Sequence, residues 1–207
     1  PTTLAVGEPI ASAIVVDAVA RLVDPRAFGR LARVRRPEAL IALLTGVAVL
    51  VIGLLLPSGF KVQRSVQVAA PPSKIYPLIV DPRQWKQWTV WNRRDPAMQM
   101  SYAGAESGAG AKWTWQSKTE GNGEMEFTAV MPNERLDYTL SFPEFGMTSR
   151  GQLLLVPEGA GTRVTWTNEG DMGGSPVNRY FGLLMDRMVG PDFEAGLTNL
   201  KGLAEKG

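Results

Sequence analysis

From Ala39 to Leu56 the chain reads ALIALLTGVAVLVIGLLL, eighteen consecutive residues without a charge, closed by Pro57. At a helical rise of about 1.5 Å per residue such a run reaches roughly 27 Å, close to the thickness of a bilayer core. Its two glycines and one threonine are ordinary in a membrane helix, where neighbouring helices approach closely. A buried helix of a soluble domain seldom runs this far without a charge. Residues 37–57 are therefore expected to form one transmembrane helix.

The flanks set its expected direction. Arg26, Arg30, Arg33, Arg35 and Arg36 precede the run, against Lys61 and Arg64 after it. The positive-inside rule puts residues 1–36 in the cytoplasm and residues 58–207 on the far side. A cleaved signal peptide fits poorly, because the basic region is long and no small-x-small exit precedes Pro57. Pro1 is what removal of an initiator methionine would leave, so an uncleaved single-pass anchor is expected. Within the tail, residues 10–23 pair Asp17 with Arg21 at helical spacing, and an interfacial helix there competes with a loose tail.

About 150 residues remain beyond the run, enough for one domain with a core. The net charge is +2 and the pI about 9.1, much of it owed to the tail arginines, so nucleic acid is not an expected partner. The sequence contains no cysteine and no histidine. Thiol chemistry, the Ser-His-Asp triad and metal sites built on imidazole or thiolate are thereby excluded. No carboxylate cluster has the spacing of a calcium loop, and Gly104, Gly108 and Gly110 lack the ending of a phosphate loop. No cofactor, no metal and no catalytic residue are expected.

Alternation predicts a strand over 60–70, then a short helix opened by Pro71-Pro72-Ser73 that Pro77 would disturb and Asp81-Pro82 would end. Trp85, Trp88 and Trp91 recur every three residues, as one packed face does. Six further strands are predicted over 98–102, 111–117, 123–131, 135–142, 148–156 and 162–169, joined by short turns that make neighbours antiparallel. A long helix starts at Pro176 behind Ser175, with a kink expected at Pro191.

This order, with the particular stretches VQVAAPPSKIY (66–76), DPRQWKQW (81–88), GTRVTW (161–166) and DFEAGLTNLK (192–201), resembles the START/polyketide-cyclase-like (SRPBCC, or Bet v 1-like) superfamily over residues 58–207. The resemblance implies an α+β helix-grip fold, an antiparallel sheet curled around the long C-terminal helix with a cavity for an apolar ligand between them. It also suggests a bacterial inner-membrane protein with a periplasmic domain. Members bind lipids or hormones, cyclise polyketides or serve as adaptors, and fold alone does not choose among these.

Inward alternation makes Trp113, Trp115, Phe127, Tyr138, Phe142 and Trp166, with Met185 and Met188, the candidate cavity lining. Glu124 and Glu126 share a strand face and are expected to be solvated. Arg64 keeps step with Val62, Val66 and Val68, so it should face inward and pair with Glu169 or Asp171, or anchor a ligand. Gly46 and Gly53, seven apart on one helix face, are candidate contacts with a membrane-protein partner. The leading expectation is a non-catalytic, membrane-anchored domain that binds a lipid-like molecule. An accessory subunit of a respiratory or photosynthetic complex, held through residues 1–57, and a cyclase/dehydratase-like enzyme are the alternatives.

Overall fold

The computed structural model describes residues 37–206, and the expectations for the tail over 1–36 lie outside the described residues. The chain divides into two compact units, one ending at Val51 and one beginning at Ile52. Helix α1 (Pro37–Leu55) is long and apolar enough to cross a membrane, and nearly all of its residues are exposed. Ile41, Leu44 and Leu50 stand exposed, unlike the side chains of a core helix.

Strand β1 (Gly59–Val68) leads into α2 (Pro72–Val80), the single turns α3 (Trp85–Trp88) and α4 (Trp91–Arg94), and then six strands. These are β2 (Gln99–Gly104), β3 (Ala111–Gln116), β4 (Gly123–Met131), β5 (Arg135–Phe142), β6 (Met147–Glu158) and β7 (Gly161–Asp171). Helix α5 (Pro176–Lys206) closes the chain. The seven strands form one antiparallel sheet in the order β1-β7-β6-β5-β4-β3-β2, so the first strand completes the sheet beside the last. A register shift between Phe127 and Ala129 on β4 adds local twist to the curled sheet.

Most differences from expectation are at element ends. Strands β6 and β7 run longer than predicted because the hairpin between them turns in two residues, with Gly159 at φ 61°. Helix α2 continues past Pro77 to Val80, and Pro191 lies inside α5, which runs on beyond it as expected. Packing of Ile75 and Ile79, and of Phe193, Leu197 and Leu200, outweighs the local loss of one backbone hydrogen bond at each proline.

One face of the sheet buries Val62, Trp113, Phe127, Tyr138, Leu153, Val164 and Trp166 against α5 and the tryptophans of α3. Strand alternation dictates this, since successive side chains point to opposite faces. Two glycines make room for the largest of them. Gly151 pairs with Tyr138 across β5 and β6, and a Cβ there would fall on the phenol ring. Gly196 lets α5 approach Trp166, whose ring would be 3.1 Å from an added Cβ. Gly151→Ala should lower stability to denaturant by ~1–3 kcal/mol, because neither strand nor ring can give way. An unchanged urea midpoint would show that the ring has another place to go.

Candidate functional site

The middle of the sheet–helix interface is filled. Trp166 stacks on Phe193 with ring centres 3.9 Å apart and planes 8° from parallel. Trp88 meets Trp166 edge-on at 5.1 Å, and Trp85 touches Trp88, Trp113, Phe127, Tyr138 and Trp166 at 4.7 to 5.8 Å. Three of the indoles also have a hydrogen-bond acceptor: Trp85 Nε1 donates to the Ile79 carbonyl, Trp88 Nε1 to the Leu78 carbonyl, and Trp166 Nε1 to the Tyr138 hydroxyl at 2.9 Å. Buried rings with satisfied N–H groups hold fixed positions.

Space survives at the other end of the sheet, under α4. A pocket of about 100 Å³ is lined by Trp113 and Trp115 of β3, Met125 of β4, Leu140 and Phe142 of β5, and Met98 and Met100 at β2, with Trp85, Thr89, Trp91 and Asn92 above and Glu120 at the rim. The strands build it through cross-strand pairs: Met100 faces Trp115, Trp113 faces Met125, and Met125 faces Leu140. Gly123 faces Trp115, and a Cβ there would strike the indole, so glycine allows the ring to lie flat over the strand.

The polar groups are few and already engaged. Thr89 donates to the Trp85 carbonyl, and Asn92 Nδ2 points at the sulfurs of Met98 and Met100 at 3.4 and 3.1 Å. Arg94 grips Glu120 with two hydrogen bonds, at 3.0 and 2.7 Å, and Asp192 with two more, at 2.7 and 2.8 Å. Trp91 Nε1 donates to the same Asp192 carboxylate. This network joins α4, the β3–β4 turn and α5 at the cavity rim, and the bonds to Glu120 and Asp192 raise the guanidinium pKa above its ordinary value. Burial likewise pushes the Tyr138 phenol up, so it stays neutral.

The sequence-predicted residues divide into three groups. Trp113, Trp115 and Phe142 line the cavity. Phe127, Tyr138 and Trp166 are buried beneath it in the packed core, with Met185 half-buried against them. Met188 is 58% exposed and lies outside the cavity, because it falls beyond the edge of the buried side of α5. Met98, Met100, Met125 and Leu140 also line it, as does Trp91, expected only as part of a packed face. The period of three in the tryptophans and the Met98/Met100 alternation were the available signals. Glu124 meets Lys112 at 2.8 Å on the solvent-facing side of the sheet.

Arg64 does face α5, but its expected partners are wrong. Glu169 and Asp171 are on the odd-numbered, outward side of β7, where Glu169 meets Lys61 and Asp171 accepts from Ser58 and the Gly173 N–H. The counter-charges come from the helix instead: Arg64 bonds Asp186 and Glu194, each at 2.6 Å, across Gly190. A side chain at Gly190 would collide with the guanidinium. Gly53 is also occupied from within the chain, by Pro176 and Tyr180, whereas nothing lies within 4 Å of an added Cβ at Gly46.

An antiparallel sheet gripping a long C-terminal helix, with an apolar pocket at the end of the sheet under α4, defines a helix-grip ligand-binding domain. The chain belongs to the family described as polyketide cyclase / dehydrase and lipid transport, which matches residues 59–205. A solution structure from Thermobifida fusca is 24% identical with a TM-score of 0.55, covering 70% of this chain and 93% of that one. Protein MLL2253 from Mesorhizobium loti is 20% identical with a TM-score of 0.52, covering 70% and 97%. Ara h 8.0201 is 15% identical with a TM-score of 0.53, covering 72% and 99%. At these identities the likeness concerns the fold alone. No protein of curated function matches the sequence.

The Arg64 cluster also predicts a pH response. Hydrogen bonding to Arg64 holds the Asp186 carboxyl below its ordinary value. A group depressed in this way stabilises the fold at pH values above the unfolded aspartate pKa of about 3.9, and that contribution fades as pH falls through the lower, folded value. Asp186→Asn should therefore lower the melting temperature at neutral pH and narrow its gap to the parent as the pH drops below about 4. A constant gap across that range would show that the pair contributes nothing through ionisation.

Proposed function

We propose that this chain is a membrane-anchored, non-catalytic domain that takes the end of an apolar molecule, a lipid chain terminus or a small ring, into the cavity under α4. The lining carries this reading: indoles of Trp91, Trp113 and Trp115, thioethers of Met100 and Met125, and the Phe142 ring surround about 100 Å³. Pockets that enclose whole drug-sized ligands measure about 300–1,000 Å³. A sterol or folded polyketide is too large for a pocket of this volume, whereas a ring or a few methylenes fits. Apolar cavities of ~150 Å³ stay dry and accept benzene, and methionine adapts to irregular shapes.

Several features favour binding over cyclase or dehydratase chemistry. The sequence has no histidine or cysteine, the neutral Tyr138 phenol is bonded to Trp166 beneath the cavity, and Glu120 is committed to Arg94. The exposed apolar side chains of α1 and the arginines before it support an anchor with residues 1–36 in the cytoplasm and the domain across the membrane. A membrane-protein partner for residues 1–57 is a second reading, favoured by the open notch at Gly46 on α1.

Native mass spectrometry of the full chain, released from detergent after exposure to a bacterial lipid extract, should show a retained apolar molecule. Leu140→Trp, which fills the cavity, should abolish retention while the chain stays folded by circular dichroism. Retention unchanged by Leu140→Trp, or none in the parent, would contradict the assignment. Alkaline phosphatase fused after Gly207 should be active in cells, and an inactive fusion would reverse the topology.

A further inference from the structure

The first half of α5 carries an apolar stripe that the domain leaves uncovered. Val177, Phe181, Leu184 and Met188 follow one another at steps of four, three and four, which at roughly 100° per residue keeps them on one narrow side of the helix. They are 53%, 52%, 47% and 58% exposed. The other side of the same segment does the packing, with Gly182 against Met172 and Gly190 under the Arg64 guanidinium. Isolated exposed apolar residues need no explanation, but a continuous row of large ones marks a contact surface.

The row begins where the chain emerges from its apolar helix. Arg179 donates to the carbonyl oxygens of Leu54 at 2.5 Å and Leu56 at 3.1 Å. Carbonyls in the last turn of a helix lack an intrahelical partner, so this arginine supplies what bulk water would otherwise provide. Pro176 and Tyr180 pack on Gly53, and the Met172 N–H bonds the Ser58 carbonyl. The first turn of α5 is thus fastened to residues 53–58, the point at which a bilayer span would end.

We infer that the stripe lies in the headgroup–acyl boundary of the leaflet from which the anchor emerges, with lipid as its occupant. This rests on the reading of α1 as a bilayer span. Tyrosine and arginine are suited to that depth, and Arg187, exposed on the same half of α5, would reach toward anionic headgroups. A second copy of the chain is the competing occupant. The continuity with the anchor favours lipid, and a row of about three turns is short for a helix pair to stand alone.

The absence of native cysteine makes single-site labelling direct. Full-length chains carrying Phe181→Cys, Leu184→Cys, Leu44→Cys or Ala160→Cys would be labelled with an environment-sensitive fluorophore. They would be reconstituted into phosphatidylcholine–phosphatidylglycerol vesicles whose acyl chains carry bromine near the carbonyls, to report positions 181 and 184, or near the methyl ends, to report position 44 at mid-span. Position 44 reports the anchor, and position 160 lies at the far end of β7, about 30 Å along the strand from Asp171. Labels at 44, 181 and 184 should be quenched and blue-shifted and the label at 160 should not, matching burial of roughly 5–10 Å for the stripe. Quenching at 44 with none at 181 and 184 overturns the inference and leaves the anchor standing. No quenching at 44 removes the anchor and the inference together. An unlabelled Phe181→Cys chain that forms a disulfide between copies, while its labelled form escapes lipid quenching, assigns the stripe to a second copy and also overturns the inference.

Discussion

The stacking of Trp166 on Phe193 is the contact on which the rest of the domain depends. It joins the centre of the sheet to the middle of α5, with Trp88 and Trp85 wedged edge-on around it. Aromatic pairs of this kind contribute beyond the area they bury, by about 0.5–1.5 kcal/mol each. Their geometry matters more here than their energy. Gly196 sets how near the helix comes to Trp166, and Gly151 sets where the Tyr138 ring can lie, so two missing side chains fix the spacing of the core. Those rings are buried between the sheet and the middle of the helix, where they take up the interior.

That filling decides what the fold can do. A helix-grip domain encloses whole ligands only where the sheet and helix stay apart. Here they are bridged by indoles with satisfied N–H groups, and free volume is displaced to the end of the sheet under α4. The displaced pocket is lined by softer material, methionine and rings at its margin, and is rimmed by the Arg94–Glu120–Asp192 network. The network ties the rim to α5, so the pocket mouth and the gripping helix are mechanically continuous.

Much of this could be read from the sequence, because period-two alternation and glycine-rich turns define strands locally. The boundaries of β4 and β5 match the prediction, and Arg64 faces α5 as its step with Val62 and Val66 requires. What failed needed three-dimensional information. The partners of Arg64 are distant in sequence and were sought on a strand whose acidic residues point outward, while α5 held Asp186 and Glu194. Inward-facing aromatics look alike whether they line a cavity or fill it, so Phe127 and Trp166 could not be separated from Trp113 and Trp115 by alternation alone. Met185 and Met188, three residues apart, are neighbours on the helix surface, so helical spacing alone does not show that Met188 falls beyond the edge of the buried side.

The contrast between the packed interior and the pocket under α4 is open to a direct measurement. Xenon binds preformed apolar cavities and does not open a close-packed core. Crystals of the full chain pressurised with xenon should show the gas between Trp113, Trp115 and Met100 and none among Trp85, Trp88, Trp166 and Phe193. Xenon within that second cluster, at comparable occupancy, would mean that the rings do not fill the interior and that the domain can open to a ligand far larger than the pocket under α4.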